Sequence, residues 1–310
     1  MKKKVTVFAP ATVANLGCGF DAMGLAIAAP GDELTLIAND SRKLIIRSIT
    51  GDNKKLSLDP KKNTAGVAIQ ALLHALELKK GFDIYLKKKM PLGSGLGSSA
   101  ASAVAGVFAL NELFGRPFSR KELIPFAMAG EKIASGAAHA DNAAPCMLGG
   151  IVLVRSYDPF EVISLPSPGK LLVVVVHPDV EVLTKNSRAV LPEKIPMKDG
   201  IAQWSNTAAL VSGLYTNDYG LIGRSVSDHV AEPYRAELIP CFTDVKAAAL
   251  QQGALGCSIS GSGPSIFAFC EGKKSAETVA KAMQAEFRKK KIRNTAYIST
   301  VNQKGVRVIQ

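Results

Sequence analysis

The stretch Met90-Pro-Leu-Gly-Ser-Gly-Leu-Gly-Ser-Ser-Ala-Ala101 holds the residues best suited to chemistry: three glycines alternate with other residues, and Ser98 and Ser99 follow. Glycine lets successive backbone amides turn toward one point. Residues 100–110 are small and apolar, with no proline and one glycine, so the loop feeds a buried helix. A helix N-terminus adds free N–H groups and partial positive charge. The combination makes an anion site, with phosphate the first choice. A tight turn before a core helix rarely needs so many glycines and serines. No Lys stands beside the glycines as in a Walker loop, and Ser98 replaces the last glycine of a dinucleotide turn. Gly17-Cys-Gly-Phe-Asp-Ala22 fits a looser dinucleotide pattern. It lies seven residues beyond the apolar segment 5–9 and has no long helical pattern behind it, so dinucleotide binding is not expected there.

A phosphate site raises the question of phosphoryl transfer, which needs charge neutralised and an acceptor hydroxyl held in line. Mg²⁺ keeps several waters, so one carboxylate and one hydroxyl suffice. Ser99 starts the helix after the loop, and Glu131 sits in an otherwise apolar helical segment beside Lys132. The residues alone favour a surface role for Glu131. Arg188 and Arg235 could each fork a carboxylate, and Asp21 with Asn15 could hold an ammonium. Residues 10–24 read as a glycine-rich loop whose few polar groups are Thr12, Asn15 and Asp21. That suits a ligand wall, against the alternative of a buried connection bonding its own backbone.

The elements that must position these groups follow from periodicity and caps. Segments 5–9, 33–38, 44–49 and 82–87 read as strands, 33–38 and 44–49 within an antiparallel meander. Asn63 is the expected N-cap of a helix over 64–77. Ser119 and Glu122 form a capping box for the helix that carries Glu131. After the loop 136–145 come a short helix to Gly149 and a strand over 151–155. Prolines 159, 166 and 168 with Gly169 suggest a domain boundary near 156–168. Beyond it, 171–176 is apolar enough for a strand buried on both faces. Helical patterns cover 184–191, 199–217, 219–230, 242–252 and 275–290, with strands at 256–258, 265–270 and 295–300. This second half reads as an α+β, ferredoxin-like layer.

The chain has 310 residues, enough for two domains of ordinary size, and its 47% hydrophobic and 21% charged composition is that of a folded globular protein. No apolar run is long enough to span a bilayer and no signal-peptide core follows the N-terminal lysines, so a cytosolic protein without membrane contact is expected. The five cysteines have no C-x-x-C spacing and read as reduced thiols. Net charge is +12, with lysines bunched at 2–4, 87–89 and 289–291. These bunches read first as solvated surface. Aromatic residues are 6% and do not interleave with basic ones, so no nucleic-acid partner is expected.

The 91–101 motif resembles the ATP-binding loop of the GHMP kinases, which act on galactose, homoserine, mevalonate and phosphomevalonate. Three further segments resemble the homoserine kinase branch: residues 7–24, His139-Ala-Asp-Asn-Ala-Ala-Pro145 and Ser260-Gly-Ser-Gly-Pro264. The Gly-Glu-His-x-Asp-Tyr loop of galactokinases is absent. The resemblance implies an α+β, two-domain GHMP kinase fold. Residues 1–160 would form an ATP-binding, ribosomal-protein-like α/β domain and 161–310 a ferredoxin-like one. It implies ATP and Mg²⁺ as cofactors and L-homoserine as substrate, giving O-phospho-L-homoserine on the way to threonine. Homodimers are common in that family. The alternative is a GHMP-type kinase for another small alcohol such as mevalonate.

By the same resemblance the nucleotide lies against Asn63, Pro91, Leu92, Gly93, Ser94, Gly95, Leu96, Gly97, Ser98, Ser99, Ala100, Ala101 and Thr184. Ser99 and Glu131 take the metal. Asn15, Asp21, His139, Asp141, Arg188, Arg235 and Gly261 surround the amino acid. Related kinases use an Asp as base before the Gly-Gly pair, where this chain has Asn142 with Asp141 adjacent. Asn accepts no proton at neutral pH. Either Asp141 serves by a one-residue shift or no side-chain base acts. The second reading is preferred, with Asp141 a substrate ligand.

Overall fold

A computed structural model describes residues 3–135 and 139–310. Lys2 of the first lysine bunch and residues 136–138 of the loop before His139 lie outside the described residues. The chain opens with β1 (Lys4–Ala14), β2 (Met23–Asn39), β3 (Leu44–Thr50), α1 (Thr64–Ala75), β4 (Gly81–Lys87) and α2 (Ser98–Leu113). It continues through α3 (Arg120–Ser135), α4 (Ala143–Leu148), β5 (Ile151–Tyr157) and β6 (Phe160–Leu165). These strands form one sheet in the order β1-β2-β4-β3, with β5 and β6 branching from β2.

Two expectations need correction here. The first strand does not end at residue 9. It runs through Pro10 to Ala14, with a register shift between Pro10 and Thr12. Buried Ala11, Val13 and Ala14 keep the pairing with β2 alive, and the irregularity absorbs the proline. Nor is β3 part of an antiparallel meander. It lies parallel to β4 with α1 as the crossover, the connection that parallel strands need.

The cap predictions hold. Asn63 Oδ1 accepts from the Ala65 amide at 3.1 Å. Ser119 N donates to Glu122 Oε2 at 2.7 Å, and Glu122 N donates to Ser119 Oγ at 3.4 Å. Helix α2 is buried along its whole length except at Ser99. Its small residues let α1 and α3 pack close, and the one opening faces the cleft described below.

The second layer contains β7 (Leu171–Pro178), α5 (Thr184–Ala189), α6 (Met197–Thr216), α7 (Tyr219–Ser225), α8 (Glu232–Arg235) and α9 (Phe242–Gln251). Then come β8 (Gly256–Ile259), β9 (Ile266–Glu271), α10 (Lys273–Lys289), β10 (Asn294–Thr300) and β11 (Arg307–Val308). The sheet order β10-β7-β9-β8, all antiparallel, is the expected ferredoxin-like arrangement. Strand β7 is buried on both faces: Val174 and Val176 face α9 and α10, while Val173 and Val175 join the main core. Strand β6 lies in the stretch expected to be a boundary and pairs with β5, and β11 returns to pair with β1.

Beneath the glycine loop sits a buried ion pair. Lys88 Nζ donates to Asp32 Oδ2, to Ser98 O at 2.7 Å and to Ser102 Oγ at 2.7 Å. Asp32 Oδ1 accepts from the amides of Lys89 at 2.7 Å and Met90 at 3.1 Å, and its Oδ2 accepts from Ser98 Oγ at 3.1 Å. Lys88 is 5% exposed, so the middle lysine of 87–89 is not solvated surface as expected. Its neighbours alternate outward along β4, which turns Lys88 into the protein. Removing one partner of such a pair leaves a charge uncompensated. Lys88→Met is therefore expected to lose about 3–5 kcal/mol in urea unfolding. A loss below about 1 kcal/mol, the range of an exposed pair, would mean that the pair does not anchor the loop.

Candidate active site

The loop between β4 and α2 lines a cleft of about 620 Å³ shared with residues from α1, α3, α5 and the 260–264 turn. Gly95 has φ +74° and its missing side chain matters: a Cβ would stand 2.4 Å from Ser260 O. The turn is pressed against the loop and bonded to it, Ser260 Oγ donating to Gly95 O at 2.7 Å. Ser94 Oγ is buried without a partner among the described residues, although Ser94 lines the cleft. An unsatisfied buried hydroxyl costs about 1–3 kcal/mol, so a ligand oxygen is its natural partner.

Ser99 Oγ donates to Glu131 Oε1 at 2.5 Å. This brings together the hydroxyl and carboxylate singled out in the sequence. Desolvation pushes the Glu131 carboxyl up to about 7, against the opposing pull of Ser99 and Lys88. Both donors are hard oxygens beside a phosphate loop, which fits Mg²⁺. Among the described residues no group of three or more His, Cys, Asp or Glu could hold a metal alone.

The other end of the cleft carries paired charges. Arg188 Nη1 and Nη2 donate to Asp21 Oδ2 at 2.7 and 2.8 Å. Arg188 Nη2 also reaches His139 Nε2 at 2.5 Å, so this nitrogen is the acceptor. Burial lowers the His139 pKa, which favours that neutral form. Arg235 is buried and donates to Ser187 O at 3.1 Å and Gly261 O at 3.0 Å. Asn15 Oδ1 accepts from the Asp21 amide at 3.1 Å, and its Nδ2 donates to Gly261 O at 2.9 Å. Asn15 and Asp21 therefore serve the cleft wall while also fixing the short loop 15–22, so both sequence readings of that loop are partly met.

Of the residues named from sequence, Asn15, Asp21, Asn63, His139, Asp141, Asn142, Thr184, Arg188, Arg235 and Gly261 line the cleft with the loop residues and Glu131. Leu96, Ala100 and Ala101 instead lie in the core, fully buried. Pro91 lines a neighbouring surface cavity with His177 and Arg288. Asn63 faces the cleft, but both of its polar ends are engaged, by Ala65 N and Ser57 O.

Thr12 was read from sequence only as a polar group of the 10–24 loop, without a partner, and three further groups were not named at all. Thr12 Oγ1 donates to Asn142 Oδ1 at 2.7 Å. Tyr157 OH accepts from Ala140 N at 3.1 Å and donates to Asp21 O at 3.3 Å, which joins the two loops of the polar end. Phe20 lies under both guanidinium groups, 5.5 Å from Arg188 and 5.1 Å from Arg235, which offsets their repulsion. Lys55 Nζ pairs with Glu181 Oε2 at 2.7 Å between two cleft-lining segments. Of those three, only Phe20 carried a local signal, through its place beside Asp21 in the glycine-rich loop.

The family model for the GHMP kinases N terminal domain matches residues 63–150, and that for GHMP kinases C terminal matches 210–289. A homoserine kinase from Chlorobium phaeobacteroides is 51% identical over 99% of this chain and 100% of its own. The chain belongs to the homoserine kinase family. A homoserine kinase from Methanocella arvoryzae is 41% identical over 98% of this chain and 97% of its own. The crystal structure of homoserine kinase from Cytophaga hutchinsonii superposes with a TM-score of 0.97 at 54% identity, over 100% of this chain and 98% of that one. A mevalonate kinase from L. major, at 17% identity and a TM-score of 0.73 over 97% and 98% of the two chains, shares the fold. The two-domain GHMP architecture and kinase activity expected from sequence therefore stand, and the mevalonate alternative finds only distant support.

Asp141 supplies a pH test of this site. Desolvation first, then the Asp21 and Glu131 charges, push its carboxyl up to about 7. The folded state thus binds this proton more tightly than the unfolded chain. The corresponding stability is fully present below the ordinary carboxylate range and is lost as pH rises to about 7. Asp141→Asn removes that loss. Without ligands, its Tm relative to wild type is expected to climb between pH 5 and pH 8. A Tm difference that does not change with pH would show that Asp141 ionises normally.

Proposed function

We propose that this chain transfers the γ-phosphoryl group of ATP to the side-chain hydroxyl of L-homoserine, yielding O-phospho-L-homoserine and ADP in a cytosolic route to threonine. The observation that carries the amino-acid reading is the Asp21–Arg188 pair facing the same cleft as the glycine loop. A zwitterion can take both partners at once, its ammonium meeting Asp21 and its carboxylate Arg188. A cation bound beside Asp141 would offset the desolvation, and then the Asp21 and Glu131 charges, that push its carboxyl up. Mevalonate has a carboxylate but no ammonium, so it would leave the acids without their cation. Five free cysteines among the described residues agree with a reducing compartment. In this reading residues 1–160 are the nucleotide domain and 161–310 the second domain, which lends β6 and β11 to the first sheet.

The roles follow from the contacts. The amides of 93–99 and the Ser94 hydroxyl hold phosphate oxygens, and Thr184 closes the nucleotide end from α5. Ser99 and Glu131 would hold Mg²⁺, which when bound neutralises charge on the transferring phosphate. Arg235, braced by Ser187 O and Gly261 O, holds carboxylate jointly with Arg188. His139 steadies Arg188 in this task. The oxygen of Asn142 accepts from Thr12 and an amide takes no proton at neutral pH, so Asn142 contributes its N–H groups as donors. Transfer then rests on alignment and electrostatics, without a side-chain base.

The direct experiment measures ADP release from Mg-ATP with L-homoserine, beside L-serine, L-threonine, mevalonate and galactose. Selective turnover of homoserine is expected, and preference for mevalonate would overturn the reading. Ser99→Ala and Glu131→Gln are each expected to lower kcat by about 10²-fold or more. Unchanged kinetics across a magnesium titration would remove them from the metal shell. Arg188→Ala is expected to raise the homoserine KM about 10-fold or more, with the ATP KM unchanged, because a charge-assisted contact is worth about 1.5–3 kcal/mol. An unaltered homoserine KM would place the carboxylate elsewhere.

A further inference from the structure

Two loops meet behind the polar end of the cleft, and one buried side chain is bonded to both. Loop 15–22 carries Asn15, Phe20 and Asp21. Segment 227–231 leads from α7 into α8, which carries Arg235. Gln203, on α6, stands between them and is 9% exposed. Its Nε2 donates to Cys18 O of the first loop at 2.9 Å and to Asp228 Oδ1 of the second at 3.2 Å. Its Oε1 accepts from the His229 amide at 2.8 Å. Turning the amide over would aim its oxygen at two oxygens and its nitrogen at an N–H, so the partners force this orientation. A carboxylate or an aliphatic chain could not make the same three bonds.

Each end of this bridge leads directly to a cleft residue. Asp228 Oδ1 also accepts from the amides of Val230 at 2.8 Å and Ala231 at 2.9 Å, and its Oδ2 accepts from that of Glu232 at 3.0 Å. Glu232 opens α8, a single turn that ends at Arg235. On the other side, Cys18 stands two residues before Phe20 and three before Asp21. The two segments also touch. Gly17 has φ +74°, and a Cβ there would come 3.2 Å from the carbonyl carbon of Val226, next to segment 227–231. At the front of the site, Gly261 O accepts from both Asn15 Nδ2 and Arg235 Nη1. Gln203 is the matching fixed point at the back, outside the cleft lining.

That back point matters because a zwitterion has a fixed span. Its ammonium and carboxylate sit on one carbon, so the acid and the arginines that receive them must keep a matching separation. One contact at Gly261 would leave the Asp21 loop free to pivot against α8, and a second contact removes that freedom. Thr207 Oγ1 gives Cys18 O another bond, at 2.8 Å, but its remaining bond is to Gln203 O, so Thr207 holds the loop without reaching segment 227–231. We propose that Gln203 is a positioning residue for the amino-acid substrate, setting the separation of Asp21 from Arg235. This inference rests on the amino-acid reading of the cleft given above.

Steady-state kinetics of the full chain test it, with L-homoserine and Mg-ATP varied in turn. Gln203→Glu keeps the volume and the acceptor for His229, but it aims an oxygen at Cys18 O and Asp228. Gln203→Met keeps the length and removes all three bonds. Each is expected to raise the homoserine KM about 10-fold, with kcat falling less than KM rises and the ATP KM within about 2-fold of wild type. The kept ATP KM shows that the variant is folded, and Gln203→Glu decides if Gln203→Met is not. Thr207→Val removes a bond to Cys18 O but leaves the bridge, so its homoserine KM is expected near the wild-type value. Equal rises in both KM values for the Gln203 variants would mark a purely structural role and overturn the proposal. So would a Thr207→Val rise as large as theirs, because holding the loop alone would then suffice. If wild type turns over L-homoserine and the Gln203 variants keep its KM, this inference fails alone. If wild type does not turn it over, the amino-acid reading fails and takes this inference with it.

Discussion

The glycine loop is positioned by one buried carboxylate. Asp32, on β2, receives the amides of Lys89 and Met90 at the entrance to the loop and the hydroxyl of Ser98 at its exit. Lys88 neutralises it and binds Ser98 O and Ser102 Oγ on the helix side. One ion pair thus fixes the distance between the end of β4 and the start of α2. The intervening glycines are then free to take backbone angles suited to a ligand, because neither end can drift. An apolar replacement could fill the same volume, but it could not bind amides, a hydroxyl and a carbonyl at once. The cost of burying the pair is balanced by this set of directed bonds.

The cleft keeps charge of both signs in reserve. Without a ligand, Arg188 satisfies Asp21, His139 accepts from Arg188, and Ser99 satisfies Glu131. Each pairing can be exchanged for a substrate group of the same sign as the partner it replaces. Asp141 is the exception, buried and pushed toward its neutral form with Asp21 and Glu131 nearby. The polar end is therefore better matched to a zwitterion than to a simple anion. Phe20 serves both arginines, and Tyr157 ties the Asp21 loop to the segment carrying Asp141.

What the sequence revealed was mostly local. The Asn63 cap, the Ser119–Glu122 box and the glycine loop declare themselves within a few residues, because their chemistry is satisfied over a few residues. The doubly buried β7 was legible because both faces demand apolar side chains. Long-range choices were not. Whether β3 runs parallel to β4 depends on the crossover through α1, and the strand through Pro10 survives only because β2 is there to pair with it. Lys88 looked like one of three surface lysines, since its partner lies at residue 32 on another strand. Tyr157 gave no warning, and Thr12 stood out only as a polar group of its loop, because their partners come from distant segments. Glu131 looked like a surface acid from its own segment, and only the family resemblance set it with Ser99, to which it is bonded.

Asn142 shows how tightly the reacting end is constrained. Its oxygen accepts from Thr12, which sits on the part of β1 beyond Pro10, so the continued strand is what holds this amide. Gly97, at φ +68°, must lack a side chain there: a Cβ would come 2.0 Å from Thr12 Oγ1 and 2.8 Å from Asn142 Oδ1. The loop, the strand and the amide are thus interlocked, and none can move without disturbing the other two. A general base must take a proton at neutral pH, which an amide cannot do, so with its oxygen bonded to Thr12 the Asn142 side chain offers N–H donors. A donor stabilises negative charge but does not remove a proton. In the proposed reaction, loop amides on one side and this donor on the other would align and stabilise a transferring phosphoryl group.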